Sequence, residues 1–190
     1  MSPRNSWIFS RTLRISKLAP RRQIIVTMRD MFTGPEIVAA LQALAVTHVV
    51  WVPDTAVGPW EQALEAAAGL KLVRVCREGE AWPLAAGLHL GGQSPLVVMQ
   101  TTGLFESGDA LRNVLFDLKL PIFSLIGVRN ALVGDSHDSA KTFAEPILRA
   151  WGIDCIWIAQ PADKPLLAEH YHRCQSAGRA GAVLLAEGAM

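Results

Sequence analysis

Six short apolar runs, separated by segments of helical length, constrain this chain more than any other feature of its sequence. The most apolar of these runs contain at most one polar residue each: 95–100, 121–126 and 182–186. Apolar runs that do not alternate with polar residues are typical of strands covered on both faces. The alternation of strand and helix therefore predicts a three-layer α/β/α domain with a six-stranded, mostly parallel sheet.

Local signals predict where two of the helices begin. Residues 33–36, Thr-Gly-Pro-Glu, form a capping box in front of an apolar helical face. The helix after the second strand should begin near Glu80, because Pro83 is tolerated only in a first turn. Gly87 lies inside this predicted helix, which indicates that another backbone packs closely there.

Two connections follow the central strands. After the third strand we expect a turn at 101–104 and then a helix from about Ser107 to Leu118. The segment from Val128 to Ala140 is polar and contains Gly and Asp, and it is the longest predicted loop of the core. Long loops at strand ends are often functional, so this loop is a candidate part of a site.

The size and composition of the chain fit one globular domain. It has 190 residues, of which 51% are hydrophobic and 18% charged. Every apolar run is interrupted well before the ~20 residues that a membrane-spanning helix needs, so a membrane role is not expected.

The charges are distributed unevenly. The first 27 residues hold six of the 18 basic groups and no acid, so 12 basic groups face all 17 acidic groups in residues 28–190. A mildly acidic domain argues against a nucleic-acid partner, which requires clustered Lys and Arg.

We predict a tail at 1–27 and one domain at 28–190. The tail is compatible with a disordered extension, a transit-like segment, or an upstream start with Met28 as the true beginning.

The cysteines and histidines do not indicate a metal site. Cys76, Cys155 and Cys174 are odd in number and widely spaced, which favours thiols in a reducing compartment such as the cytoplasm. His170 and His172 are two positions apart and would point in different directions on a helix.

One acid occupies a position typical of catalytic groups. Glu78 follows the second predicted strand, and ligand sites in α/β proteins lie at the carboxyl ends of strands. Two interpretations of Glu78 are open from spacing alone. It is either a functional carboxylate or a solvated acid at a helix N-terminus, where the helix dipole favours negative charge. Glu80 lies two positions further on and is expected to be the helix-terminus acid.

The order of several segments resembles the pyrimidine-binding domain of thiamine diphosphate (ThDP) enzymes, and most of all the α subunit of sulfopyruvate and phosphonopyruvate decarboxylases. The resemblance covers about residues 30–188. It rests on Val52-Pro53-Asp54-Thr55, Arg77-Glu78-Gly79-Glu80-Ala81, Ala85-Ala86-Gly87-Leu88-His89-Leu90, Pro95-Leu96-Val97-Val98-Met99-Gln100 with Gly103-Leu104, His137 after Gly134-Asp135, and residues 148–153.

The resemblance implies a role for several residues. The glutamate that matches Glu78 contacts N1′ of the aminopyrimidine and so favours the tautomer that removes the proton from C2 of the thiazolium. Such a carboxyl group has to be shielded from water, which would require a covering partner. Gln100, Gly103 and Leu104 are implied to bind the cofactor. Asp54 and His137 are candidates for substrate binding, although each is equally well explained as a turn or loop residue.

The sequence departs from the family pattern in two respects. Thr101-Thr102 and Asp109 replace residues that are usually Asn-Ser and Asn, and Glu106 adds an acid, which suggests a different 2-oxo acid as the substrate. The sequence also has no Gly-Asp-Gly segment, through which these enzymes hold the diphosphate by Mg²⁺. The resemblance therefore implies a separate β subunit with the diphosphate-binding domain, and a hetero-oligomer with paired α subunits.

Other functions remain open at this point. A non-catalytic binding or scaffold module that has kept the fold is the main alternative. A flavodoxin-like nucleotide binder is disfavoured, because Asp54 lies where a phosphate would bind and no Gly-rich loop follows the first strand. Four aromatic residues either fill the core or form a partner interface: Trp51, Trp60, Trp82 and Phe105.

Overall fold

The computed structural model describes residues 31–54 and 58–189. The predicted tail at 1–27 lies outside the described residues. In the described ranges the elements are α1 Gly34–Ala43, β1 His48–Trp51, α2 Glu61–Ala66, β2 Lys71–Arg74, α3 Glu78–Leu90, β3 Pro95–Gln100, α4 Thr101–Glu106, α5 Gly108–Leu111, β4 Phe123–Val128, α6 Ser139–Ala150, β5 Asp154–Ile158, α7 Leu166–Ser176 and β6 Gly181–Ala186. A π-helical segment, Arg112–Asp117, continues α5, and short 3₁₀ turns precede α2 and α7.

The six strands form one sheet in the order β2-β1-β3-β4-β6-β5, and all neighbouring strands are parallel. The predicted α/β/α fold with a six-stranded sheet is thus confirmed. From β1 the chain crosses to β2 on one side, whereas from β3 it continues to β4 on the other. This reversal leaves a crevice at the carboxyl ends of β1 and β3, where open α/β sheets bind ligands.

Both faces of the sheet are covered. One apolar cluster contains Val49 and Trp51 of β1 with residues of α1, α2 and α7. A second cluster on the opposite face contains Val50 of β1 with residues of α3, α5 and α6. Because successive residues of a strand point to opposite faces, a strand between two helical layers has to be apolar at every position. The continuous apolar runs of the sequence follow from this arrangement.

The capping box at the start of α1 is confirmed. The Thr33 hydroxyl accepts a hydrogen bond from the Glu36 backbone N–H, and Glu36 accepts one from the Thr33 backbone N–H at 2.8 Å. The pKa of Glu36 is lowered to about 2, first by its hydrogen bond from Lys164 and then by those from Thr33. Glu36, on the surface of α1, is thereby joined to Lys164 in the segment before α7.

Three expectations about local structure are wrong. Helix α3 begins at Glu78 rather than near Glu80, so Pro83 lies in its second turn. A side chain at Gly87 would have no heavy atom within 4 Å, so no other backbone packs closely there. The predicted turn at 101–104 is helix α4, and its glycine is required by a contact with Glu78 rather than by a turn.

Three of the four aromatic candidates belong to the core. Trp51, Trp60 and Trp82 are at most 1% exposed, and only Phe105 among the four aromatic candidates is partly exposed. The large apolar side chains that do reach the surface include Leu90, Leu118, Phe143 and Phe116. None of the helices in the described ranges combines the length and the apolar character needed to cross a bilayer.

Candidate active site at the carboxyl edge of the sheet

The parallel sheet brings several predicted site residues to one edge. Asp54 follows β1, Glu78 follows β2, Gln100 ends β3, and His137 lies in the loop after β4. All strands run in the same direction, so these residues lie at or beyond their carboxyl ends. The crevice between β1 and β3 is part of this edge, which makes it the candidate active site.

Glu78 and Gly103 are in direct contact. A Cβ atom added to Gly103 would lie 2.3 Å from Cγ of Glu78 and 2.6 Å from its Oε1, which is closer than atoms can approach. Only glycine leaves room for the Glu78 side chain against the backbone of α4. Two of the residues predicted to contact the cofactor are thus brought together, one from each side of β1.

Glu78 differs from the acids around it because its carboxylate has no hydrogen bond or ion pair with the residues that the structure describes. Glu80 accepts a hydrogen bond from the Cys76 backbone N–H at 3.0 Å. Glu80 lies in the first turn of α3, as predicted for a helix-terminus acid, and Glu78 is the first residue of the same helix. Glu78 is half-buried, so its carboxylate is partly shielded from water without a partner that fixes it.

Glu106 is held by two groups next to Glu78. Its carboxylate accepts hydrogen bonds from the Arg77 guanidinium and, at 2.9 Å, from the Gly79 backbone N–H. These bonds, the one from Arg77 foremost, lower the pKa of Glu106. Glu106 therefore stays ionised, but Arg77 offsets its charge, and the pair joins the start of α3 to the end of α4.

Asp109 is also paired. Its carboxylate forms an ion pair with Arg112 at 2.7 Å. Arg77 thus offsets the charge of Glu106, whereas Arg112 is shared between Asp109 and Asp117 and offsets the charge of Asp109 only in part. The inference that these acids exclude a doubly charged substrate is weakened accordingly.

The residues at the end of β3 have different environments. Gln100 is half-buried at the last position of the strand, whereas the Leu104 side chain is fully buried in the core. The Thr101 hydroxyl donates a hydrogen bond to the backbone carbonyl of Gly127 at 2.9 Å. Thr101 thus joins the ends of β3 and β4, a structural function that accounts for one departure from the family pattern.

Asp54 and His137 are less well defined as site residues. Asp54 is half-buried and immediately precedes residues 55–57, which lie outside the described ranges. His137 is exposed in the loop between β4 and α6. Among the described residues, no hydrogen bond or ion pair joins His137 to Glu78.

Glu187 is a candidate that the sequence analysis missed. It follows β6 directly and is only 4% exposed, and its Oε1 has no hydrogen-bond partner among the described residues. The pKa of Glu187 is raised to about 7, first by burial and then by the negative charge of Asp54, while Arg129 acts in the opposite direction. The signal in the sequence was an acid directly after the apolar run 182–186, the same context that singled out Glu78.

The loop after β4 covers this acid. The Leu132 backbone N–H donates to the Glu187 carbonyl at 2.9 Å, and the Asn130 backbone N–H donates to the Gly188 carbonyl at 3.1 Å. Arg129 and the Asn130 amide both donate to the carboxylate of Asp138, each at 2.8 Å. Asp138 also caps helix α6, and these bonds lower its pKa, the one from Asn130 most strongly. The loop is therefore a fixed part of the site.

A second cluster lies at the opposite edge of the sheet. Among the described residues, the only group with the geometry of a metal site is Asp154, His170 and Cys174, whose candidate ligand atoms lie within 4.8 Å of one another. Nε2 of His170 lies 3.1 Å from the Ala182 carbonyl oxygen, and Nδ1 lies 2.7 Å from an Arg173 nitrogen. Arg173 and Arg179 also pair with Asp154. These partners use the atoms that a metal would need.

Comparison with known proteins gives one partial similarity. No protein-family model matches the chain. A phosphonopyruvate decarboxylase of Streptomyces viridochromogenes is 31% identical over 91 residues, which are 48% of this chain and 23% of that protein. The matched segment thus spans about a quarter of the length of this relative. It supports a distant relation to a decarboxylase.

Proposed function

We propose that this chain is the α subunit of a ThDP-dependent 2-oxo acid decarboxylase. In this proposal Glu78 contacts the aminopyrimidine, and a β subunit supplies the diphosphate-binding domain with its Mg²⁺. The observation that carries the proposal is the half-buried, unpartnered carboxylate of Glu78 against the bare backbone of Gly103. Unpaired carboxyl groups in a cleft are candidates for proton transfer.

The residues at this edge fit an aminopyrimidine. The Glu78 side chain fills the space beside Gly103, which holds its carboxyl group at the edge where an aminopyrimidine would bind. In the proposed complex, Glu78 and Gln100 would hold the aminopyrimidine, and Glu78 would be the group that exchanges a proton with N1′ of the ring. When bound, the cofactor supplies the electron sink for decarboxylation.

The partner has two tasks in this proposal. It binds the diphosphate, since this sequence has no Gly-Asp-Gly segment, and it covers Glu78 so that water is excluded from the carboxyl group. We propose a hetero-oligomer with paired α subunits in the cytoplasm.

The proposed substrate is a 2-oxo acid with a second anionic group, such as phosphonopyruvate or sulfopyruvate. The similarity to a phosphonopyruvate decarboxylase supports this class. The pairing of Glu106 with Arg77 also supports it, because Arg77 offsets the charge of this acid. Asp54 and His137 are the proposed substrate-side residues.

The test is to produce the chain with its β partner and measure decarboxylation of phosphonopyruvate and 3-sulfopyruvate. Glu78→Gln should lower kcat by about 10²- to 10⁴-fold, the usual contribution of a proton-transferring group. Glu80→Gln is the matched control, because its amide oxygen can still accept from the Cys76 N–H. Near wild-type activity in Glu78→Gln would overturn the assignment, as would an equal loss in both variants.

A non-catalytic module is the second candidate. The bond from Thr101 to the Gly127 carbonyl favours it, because a position that departs from the pattern of the resembled family has a structural function here. If the chain is a non-catalytic module, its complex with a β partner that binds ThDP should decarboxylate neither substrate.

A further inference from the structure

A groove opens at the amino edge of the sheet, opposite the edge that carries Glu78. It has a volume of about 610 Å³ and lies where the chain enters β4, β5 and β6, which are adjacent in the sheet. Pockets that bind small molecules usually measure about 300–1,000 Å³. This amino-edge groove therefore has the size of a ligand site.

The walls of the amino-edge groove are mostly apolar. Leu115 and Ile153 belong to the core and also line the groove. Trp151 is half-buried beside them, and the Phe116 side chain is 51% exposed. Apolar side chains that meet water in a concave surface favour a ligand with an apolar body, because binding removes their surface from water.

Two helices end at the groove with regular backbone caps. At the end of α6 the N–H groups of Gly152 and Ile153 donate to carbonyls of the last turn, and at the end of α7 those of Gly178 and Arg179 do the same. Both glycines have the left-handed conformation that such caps require. Because the backbone forms these caps, basic side chains are not needed to satisfy the helix ends.

Lys119 occupies the position at which the other two connections have glycine. It precedes β4 and has a left-handed backbone with φ of 54°, which is unfavourable for a lysine. Its side chain is exposed and forms no hydrogen bond or ion pair with the residues that the structure describes. Strained backbone conformations cluster at binding sites, so an unpaired ammonium group in this connection points to an anionic ligand.

A second cation, Arg179, lines the same groove. Its contact with Asp154 is long, at 3.5 Å, and Asp154 also pairs with Arg173. Asp117, the acid among the lining residues, forms an ion pair with Arg112, which lies outside the lining. The lining therefore carries two cations against one acid, and this acid has a partner of its own.

We propose that the amino-edge groove binds an organic anion with an apolar body, such as an aromatic or long-chain carboxylate. Trp151 and Phe116 cover the apolar part of this ligand, and Lys119 and Arg179 bind its anionic group. The inference does not depend on the decarboxylase function, because none of these residues lies at the edge that carries Glu78.

The charge of the ligand is tested with two fluorescent probes and the full chain. 8-Anilinonaphthalene-1-sulfonate joins aromatic rings to an anionic group, and N-phenyl-1-naphthylamine has the same rings without the charge. Lys119→Asn and Arg179→Gln should each raise Kd for the anionic probe by about three- to tenfold and leave Kd of the neutral probe within about twofold. Salt at about 0.5 M should weaken only the anionic probe. Asparagine tolerates the left-handed conformation, so Lys119→Asn keeps the test valid if Arg179→Gln fails to fold.

Lys71→Gln is the matched control. Lys71 is an exposed lysine at the amino end of β2, at the far end of the sheet from the groove, and its loss changes the net charge equally. Kd of the anionic probe should stay at the wild-type value in this variant. No binding of the anionic probe, a wild-type Kd in both groove variants, or an equal rise in Lys71→Gln would overturn the proposal.

The position of the ligand is tested by nitrogen-15 NMR of the tryptophan indole groups. The Trp151 signal, identified by its loss in Trp151→Phe, should shift when the anionic probe is added. Displacement of the probe by decanoate would assign a long-chain ligand, and displacement by 2-naphthoate an aromatic one. An unchanged Trp151 signal, or displacement by neither carboxylate, would contradict the assignment of the groove.

Discussion

The Glu78 side chain occupies the space that a side chain on Gly103 would fill. This contact joins the start of α3 to α4 across the end of β1, and it explains why a glycine lies within helix α4. It also keeps the carboxylate at the carboxyl edge of the sheet. The neighbouring Arg77 pairs with Glu106 instead of Glu78.

Gly103→Ala should displace Glu78. The new methyl group overlaps Cγ of Glu78, so either the side chain moves outward or the backbone shifts, at a cost of about 1–3 kcal/mol. Decarboxylase activity of the complex should fall toward that of Glu78→Gln. Full activity in Gly103→Ala, with the free energy of unfolding unchanged, would show that the contact does not fix Glu78.

Gly87→Ala is the matched substitution. Gly87 also lies inside a helix, but a methyl group there meets no heavy atom within 4 Å. Alanine should therefore raise the free energy of unfolding by about 0.5–1 kcal/mol, because it reduces the backbone freedom of the unfolded chain. Urea unfolding measures this change, and activity should stay at the wild-type level. A loss of stability would indicate a close neighbour at this position.

The stability of the chain should depend on Glu187 above pH 5. The pKa of this group is raised from 4.5 to about 7 in the folded state, so the unfolded chain releases the proton first as the pH rises. The free energy of unfolding should therefore fall between about pH 4.5 and 7, by about 3 kcal/mol from this group. Buried His170, whose pKa is lowered, acts in the opposite direction in part of this range.

Glu187→Gln isolates this effect. The difference in unfolding free energy between the variant and the wild type should grow in favour of the variant from pH 5 to pH 8, and then stay constant. Chemical unfolding at several pH values gives this difference directly. A difference that does not change with pH would mean that Glu187 ionises normally in the folded protein.

Arg77→Gln should raise KM for an anionic substrate. Arg77 offsets the charge of Glu106, which its hydrogen bonds keep ionised. Without Arg77, the uncompensated charge of Glu106 should raise KM for phosphonopyruvate more than KM for a singly charged 2-oxo acid, and high salt should reduce the difference. The double variant Arg77→Gln, Glu106→Gln should restore KM. Equal changes in KM for both substrates would place this pair outside the substrate path.

The sequence predicted the layered fold well because the signals for it are local. Continuous apolar runs follow from strands that are covered on both faces, and the capping box at Thr33 depends only on residues three positions apart. The errors occurred where tertiary contacts determine the local structure. Gly103 was expected in a turn because no local pattern reports a carboxylate that approaches from another helix.

The candidate site was predicted in part. The contact of Glu78 with Gly103 agrees with the residues that the family resemblance selected, whereas Leu104 lies wholly in the core. Glu187 was missed because its burial depends on the loop after β4, which folds back over the end of β6. The ion pairs of Glu106 and Asp109 with arginines could also not be predicted, because the sequence does not show which basic side chain lies next to an acid.

The central claim is that Glu78 activates the cofactor, and the most direct measurement is the rate at which the C2 proton of bound ThDP exchanges with deuterium in the complex. The account predicts that Glu78→Gln slows this exchange by about 10²- to 10⁴-fold, whereas Glu80→Gln exchanges at the wild-type rate. Equal exchange rates in wild type and Glu78→Gln, with the cofactor bound in both, would contradict it.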